Sequence, residues 1–204
     1  MDLDLTPPEL PWPQTGDKLF ISDTDWWHNA CLSFARDKWD LYATGYKDAA
    51  DIIVNRIIET RQGMDFLVYP VAFLYRHYLE LRLKELIIHG QQLLNLTDEF
   101  KHVHRIDQLW QSCRRILEEV WPDGSATDLD AVGVCIAEFC AFDQQSMSFR
   151  YPETKDGNPT LPDLRHVNLR NLRDVVNRIS GLLEGSSSGI SAYLDDLPSP
   201  ESYY

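Results

Sequence analysis

The sequence lacks any apolar run approaching the roughly 20 residues that a membrane-crossing helix needs, so no spanning segment is expected. Its start, MDLDLTPPELPWP, is acidic and Pro-rich where a signal peptide would be basic and then apolar, and a cytoplasmic protein with no membrane partner is the expectation. Cysteine is scarce. Cys31, Cys113, Cys135 and Cys140 form no C-x-x-C pair and no tight spacing with histidine, so neither a zinc site nor a disulfide framework is indicated. Reduced, buried thiols are expected, with no metal and no cofactor. Positive charge is short as well: 19 Lys and Arg stand against 32 Asp and Glu, a formal charge of −13. That balance works against non-specific nucleic-acid binding and against anionic membranes, both of which need a dense positive face, although a local patch can still hold phosphate. G-x-S-x-G, Walker and G-x-G-x-x-G patterns are absent, which removes the usual serine-hydrolase, nucleotide-hydrolase and dinucleotide-binding readings. No internal repeat and no strand-like alternation stands out.

What the chain has is apolar bulk: 44% hydrophobic residues, with six Trp, nine Tyr and eight Phe, enough to offset the entropy of ordering. At 204 residues it suits one domain. Pro7, Pro8, Pro11 and Pro13 make residues 1–21 an extended arm that wraps the domain or stays loose, with Trp12 and Phe20 favouring wrapping. SDTD, Ser22 to Asp25, reads as a helix start. The stripe Ala35, Trp39, Tyr42, Tyr46, Ala49, Ile53 and Ile57 predicts a helix over about 28–61, with Gly45 placed to bend it and Gly63 suited to the left-handed end. A second helix carries FLYRHYLELRLKELIIH, with Pro70 in its first turn or at a kink. A third spans about 106–120 and stops at WPDG.

A fourth helix, capped by TDLD, follows Leu129, Val132, Ile136 and Phe139 into AFDQQSMSFRYP and ends at Pro152. RYPETKDGNPTLPDL then reads as a long ordered loop. A fifth helix covers about 165–183, where EGSSSG breaks it, leaving 185–204 as a flexible acidic tail. The expectation is an all-α, single-domain helical bundle of about five helices over 22–184, with an extended amino-terminal arm.

Two polar lines break the apolar pattern of the second helix. On a helical wheel Arg76 falls inside the arc of Leu79, Leu83, Leu86 and Ile87, and Glu80, one turn on, lies about 40° away. This places a buried ion pair on the core face, costly to desolvate and kept either for packing specificity or for a site. On the fourth helix Asp143, Ser146 and Arg150 extend the line of Val132, Ile136 and Phe139. Arg76, Glu80, Asp143 and Arg150 would then form one charged network beneath the long loop, either anchoring that loop or making an anion pocket. The other line is Arg82, Glu85 and His89. Arg82 and His89 sit within about 20° of each other as R-x6-H, a phosphate holder and a proton carrier that would suffice for metal-independent RNA cleavage. Glu85 can equally bridge both in a solvated stripe, and the two Cα atoms lie roughly 10 Å apart along the helix, a gap that a two-fold dimer would repair. His102 and His104, flanking Val103, read as surface or capping residues, while His77 and His166 adjoin arginines and are placed to join a pocket.

YRHYLELRLKELI after FLVYPVAF, then HRIDQLW, then FDQQSMSFRYP, resembles HEPN-type helical proteins of prokaryotic defence and toxin–antitoxin systems, over about 39–162. The resemblance implies a helical bundle, often a homodimer, acting on or binding RNA; many such proteins are metal-independent endoribonucleases with an R-x(4-6)-H motif. Here Arg82 and His89 alone satisfy that spacing, as the implied catalytic pair. Leu83 stands where a polar residue often follows the Arg. Other families of this type have lost the motif, so the resemblance equally admits a non-catalytic interaction or assembly module holding a partner protein encoded alongside.

Overall fold

The computed structural model describes residues 12–21, 25–33, 37–97 and 103–197. The expected helix start at Ser22 to Thr24, the prolines before Trp12, His102 and the last residues of the tail lie outside them. Residues 12–21 and 25–33 contain a single turn of 3-10 helix, Trp26–His28, and are otherwise irregular; Trp12, Phe20 and Trp27 are exposed, and so is Cys31, against the expected burial of the thiols.

From Asp37 on, the described residues form an all-α, single-domain bundle of five helices: α1 (Lys38–Thr60), α2 (Met64–Leu93), α3 (Ile106–Val120), α4 (Ala126–Phe142) and α5 (Leu169–Asp195). No helix among the described residues is long and apolar enough to cross a membrane. The central element is α2, against which α1, α3 and α5 all pack, while α4 packs on α3. Half of its 30 residues are buried, and from Tyr78 to Ile87 no position faces solvent. A helix surrounded by three others has no solvated side along that stretch, so its charged residues must find their partners inside the bundle.

Several helix ends differ from the sequence reading, each for a local reason. α1 begins at Lys38 rather than near His28, because Asp37 in extended conformation caps it, accepting from the Trp39 amide at 2.8 Å. Its buried line is Ala43, Ala50, Val54 and Ile57; Tyr42, in the expected stripe, is exposed. The left-handed residue that ends α1 is Arg61, and Gly63 instead starts α2 with φ of 79°. Pro70 lies beyond the first turn of α2, leaving the Phe66 carbonyl without its intrahelical donor.

Ser125, not TDLD, caps α4 through its hydroxyl and the Asp128 amide. α4 then stops at Phe142, well short of Pro152. The Asp143 carboxylate takes the amides of Met147 and Ser148 at 2.7 and 3.0 Å, a side-chain turn that outcompetes the next helical bonds. The loop after it is ordered by Thr160, whose hydroxyl donates to the Tyr151 carbonyl at 2.7 Å, and by a bridge between Glu153 and Pro159. α5 does not break at EGSSSG. It runs to Asp195, so residues 185–195 are helix rather than a flexible tail.

Candidate functional site

The charged residues of α2 from Arg76 to Glu85 are interior, and they divide into two clusters. In the first, Arg76 is fully buried and every nitrogen of its guanidinium is used. Nη1 donates to Glu80 Oε2 at 2.9 Å, Nη2 to the His104 carbonyl at 2.6 Å, and Nε to the Asp143 carbonyl at 3.1 Å, with the Asp143 carboxylate 3.7 Å away. Glu80 in turn accepts from Lys84 and from the His104 ring, both at 2.8 Å. Burial alone would raise the Glu80 pKa; the hydrogen bonds from Lys84, His104 and Arg76 more than offset it and hold the carboxyl below its ordinary value.

Chemically this cluster is a tie. It fastens the end of α4, through the Asp143 and Gln144 carbonyls, and the approach to α3, through His104, onto one turn of α2. Three of the four residues expected in one network, Arg76, Glu80 and Asp143, are brought together. Arg150 is not. Because α4 ends before it, its guanidinium points outward and lies 5.5 Å from the ring centres of both Phe73 and Tyr151, a cation–π arrangement instead of an ion pair. A pocket with two converging arginines therefore does not form, and the anion reading of this cluster loses its basis. Lys84 was missed in the sequence; His104 is exposed, as a surface residue should be, and its bond to Glu80 was what the sequence did not show. Lys84, one turn after Glu80, carried a readable signal, whereas His104 reaches Glu80 through the path of the chain before α3, which no spacing encodes.

In the second cluster Arg82 is 2% exposed, with Nη2 2.8 Å from Asp40 of α1 and Nη1 2.5 Å from Glu85. Burial would lower its pKa, but Glu85 and Asp40 more than reverse that, so the guanidinium is held firmly charged. Ser187 of α5 donates to the other Glu85 oxygen at 2.5 Å. The solvated-stripe reading of Arg82, Glu85 and His89 fails here, since the first two are interior and their partners come from α1 and α5.

His89 is partly exposed, at 21%, and its two ring nitrogens lie 3.7 Å from Asp37 and from Glu85. Its Nδ1 is buried without a hydrogen-bond partner. Asp37, Glu85 and His89 thus gather one potential ligand atom each within 4.8 Å. Asp37 was missed as a neighbour of His89 because its position depends on where α1 starts, which the stripe placed too early. Beside Arg82 lies a cavity of about 290 Å³ whose lining includes Asp40, Asp48 and Glu184 against Lys47 and Arg82, a negative balance that suits no phosphate.

His77 is half-buried, stacked on Phe73 and edge-on to Tyr46; burial pushes its pKa down. His166 lines a mostly apolar cavity of about 280 Å³ between α2, α4 and α5. No protein-family model, no curated protein and no solved structure matches this chain.

Proposed function

We propose that this chain is a HEPN-like cytoplasmic protein of a prokaryotic defence or toxin–antitoxin system, working as a non-catalytic interaction or assembly module, as a homodimer that holds a partner protein. The observation that carries the non-catalytic part is the confinement of Arg82. At 2% exposure, with Nη2 on Asp40 and Nη1 on Glu85, its guanidinium is engaged by two carboxylates, and releasing it to a phosphodiester would strand both. The charge of −13 adds to this, since RNA approaching the cluster meets a surface rich in carboxylates.

A second reading, that the chain binds and cleaves RNA with Arg82 and His89 as its catalytic pair, draws on His89. The ring is partly exposed, and its buried Nδ1 has no hydrogen-bond partner, as a proton carrier awaiting a substrate would be. Incubating the full chain with single-stranded RNA in EDTA separates the two. The interaction reading expects no cleavage above buffer and no saturable RNA binding at about 0.15 M ionic strength. Cleavage by the wild type that disappears in His89→Ala, with the helical circular dichroism spectrum unchanged, would establish the nuclease instead. Sedimentation equilibrium tests the homodimer directly.

A further inference from the structure

We infer that Asp37, Glu85 and His89 form a binding site for one divalent transition-metal cation of the zinc class, clamping the start of α1 to α2. A nitrogen and two carboxylates make a donor set that zinc-class ions accept, with water filling the open position that the partial exposure of His89 leaves. The spacing fits. An ion takes one ring nitrogen: Nε2 lies 3.7 Å from Asp37 and Nδ1 3.7 Å from Glu85, both too long for hydrogen bonds, which close near 3 Å, so at either nitrogen one carboxylate already stands near the roughly 3.4 Å edge of a tetrahedron with ligands at about 2.1 Å. All three ligand atoms lie within 4.8 Å of one another, so closure needs shifts below an ångström or so.

The buried Nδ1 without a partner is an independent sign, because a ring nitrogen shielded from water ordinarily has something to bind. The two carboxylates are already oriented. Asp37 is fixed by its Oδ1 on the Trp39 amide, leaving Oδ2 toward His89. Glu85 is 1% exposed and gripped from both sides, Arg82 on Oε2 and the Ser187 hydroxyl on Oε1, the kind of outer contact that aims a metal ligand. Charge points the same way. Asp37, Asp40 and Glu85 oppose Arg82, which leaves two negative charges beside the His89 ring, and a dication cancels them. The partial positive charge at the start of α1 opposes the ion only weakly, since the Asp37 cap already screens it.

The test uses the full chain, stripped with EDTA and dialysed, then titrated with ZnCl2 by calorimetry and with Co2+ by visible absorption. One equivalent per chain is expected, with the d–d bands of a low-coordinate cobalt site and a melting temperature that climbs with free zinc. His89→Ala should weaken binding by more than about 100-fold, beyond the roughly 10–100-fold that losing an outer contact brings. Asp37→Asn should do the same while keeping the helix cap, as asparagine caps equally well. His28→Ala, an exposed histidine elsewhere, should bind as the wild type does. No binding by the wild type, or equal affinity in the wild type, His89→Ala and Asp37→Asn, would overturn the site.

Discussion

Arg76 shows how a single side chain is held by the sum of its partners. Replacing it with alanine leaves three backbone carbonyls without their donor and takes the facing cation from the Asp143 carboxylate, while Glu80 keeps Lys84 and His104. We expect Arg76→Ala to lose about 3 kcal/mol, at the lower end for breaking a buried pair because Glu80 stays partly neutralised. Urea unfolding checks this, and an unchanged midpoint would mean that Arg76 is not held in a pair. Glu80 gives a pH signature. Its carboxyl is held below the ordinary 4.5, so its stabilising contribution is complete above that value and is lost as the pH falls through the lower folded-state value. The stability gap between the wild type and Glu80→Gln should therefore be widest near neutral pH and shrink as the pH falls below the ordinary 4.5 and through the lower folded-state value. A gap that widens on acidification would reverse the sign of the coupling. The Arg76–Glu80 pair was legible at this scale because a charge inside an apolar arc is visible on a helical wheel. Asp40 and Ser187, the partners that close off Arg82 and Glu85, were not, since they arrive from helices far away in the chain.

At the scale of elements, close approach explains what propensity misjudged. EGSSSG reads as a helix breaker because Gly costs about 1 kcal/mol and Ser about half that in a helix interior. In α5 those residues are where the helix passes neighbours: Ser187 bonds Glu85, and a Cβ on Gly189 would stand 2.8 Å from the Trp121 ring. Packing outweighs propensity there. Gly90 makes a similar approach of α2 to α3, where a Cβ would meet Ile116 Cγ2 at 2.2 Å, while Gly45 on α1 has nothing within 4 Å. The two should respond with opposite signs. Gly90→Ala is expected to destabilise by about 1–3 kcal/mol through overpacking, and Gly45→Ala to stabilise by about 0.5–1 kcal/mol through helix propensity. Melting temperatures of the two variants check both, and a stabilised Gly90→Ala would refute the close contact. α3 was readable because its apolar line is unbroken by polar residues, and its bounds match. The end of α4 was not, because the heptad-like line through Asp143 and Arg150 continues in the sequence past the point where the Asp143 carboxylate captures two amides and turns the chain.

For the whole molecule, the number of helices and their all-α arrangement can be read from periodicity alone, whereas the order of packing cannot. Nothing in the sequence says that α2 is surrounded, and that fact turns its charged residues from surface decoration into interior ties. The net charge of −13 acts at this scale too. Self-repulsion among surface carboxylates should be relieved by salt, so raising the ionic strength from about 0.01 to 0.15 M is expected to raise the melting temperature, the buried pairs being little screened. A fall in a calorimetric scan would show that exposed ion pairs dominate instead. The proposal of an interaction module over a nuclease stands on one guanidinium being held inside. A double-mutant cycle with Arg82→Met and Glu85→Gln, unfolded in urea with EDTA present, measures that hold most directly. A coupling energy above about 1 kcal/mol is the predicted result, and a coupling of zero within error would mean that Arg82 is not committed to Glu85 and is available to a phosphate.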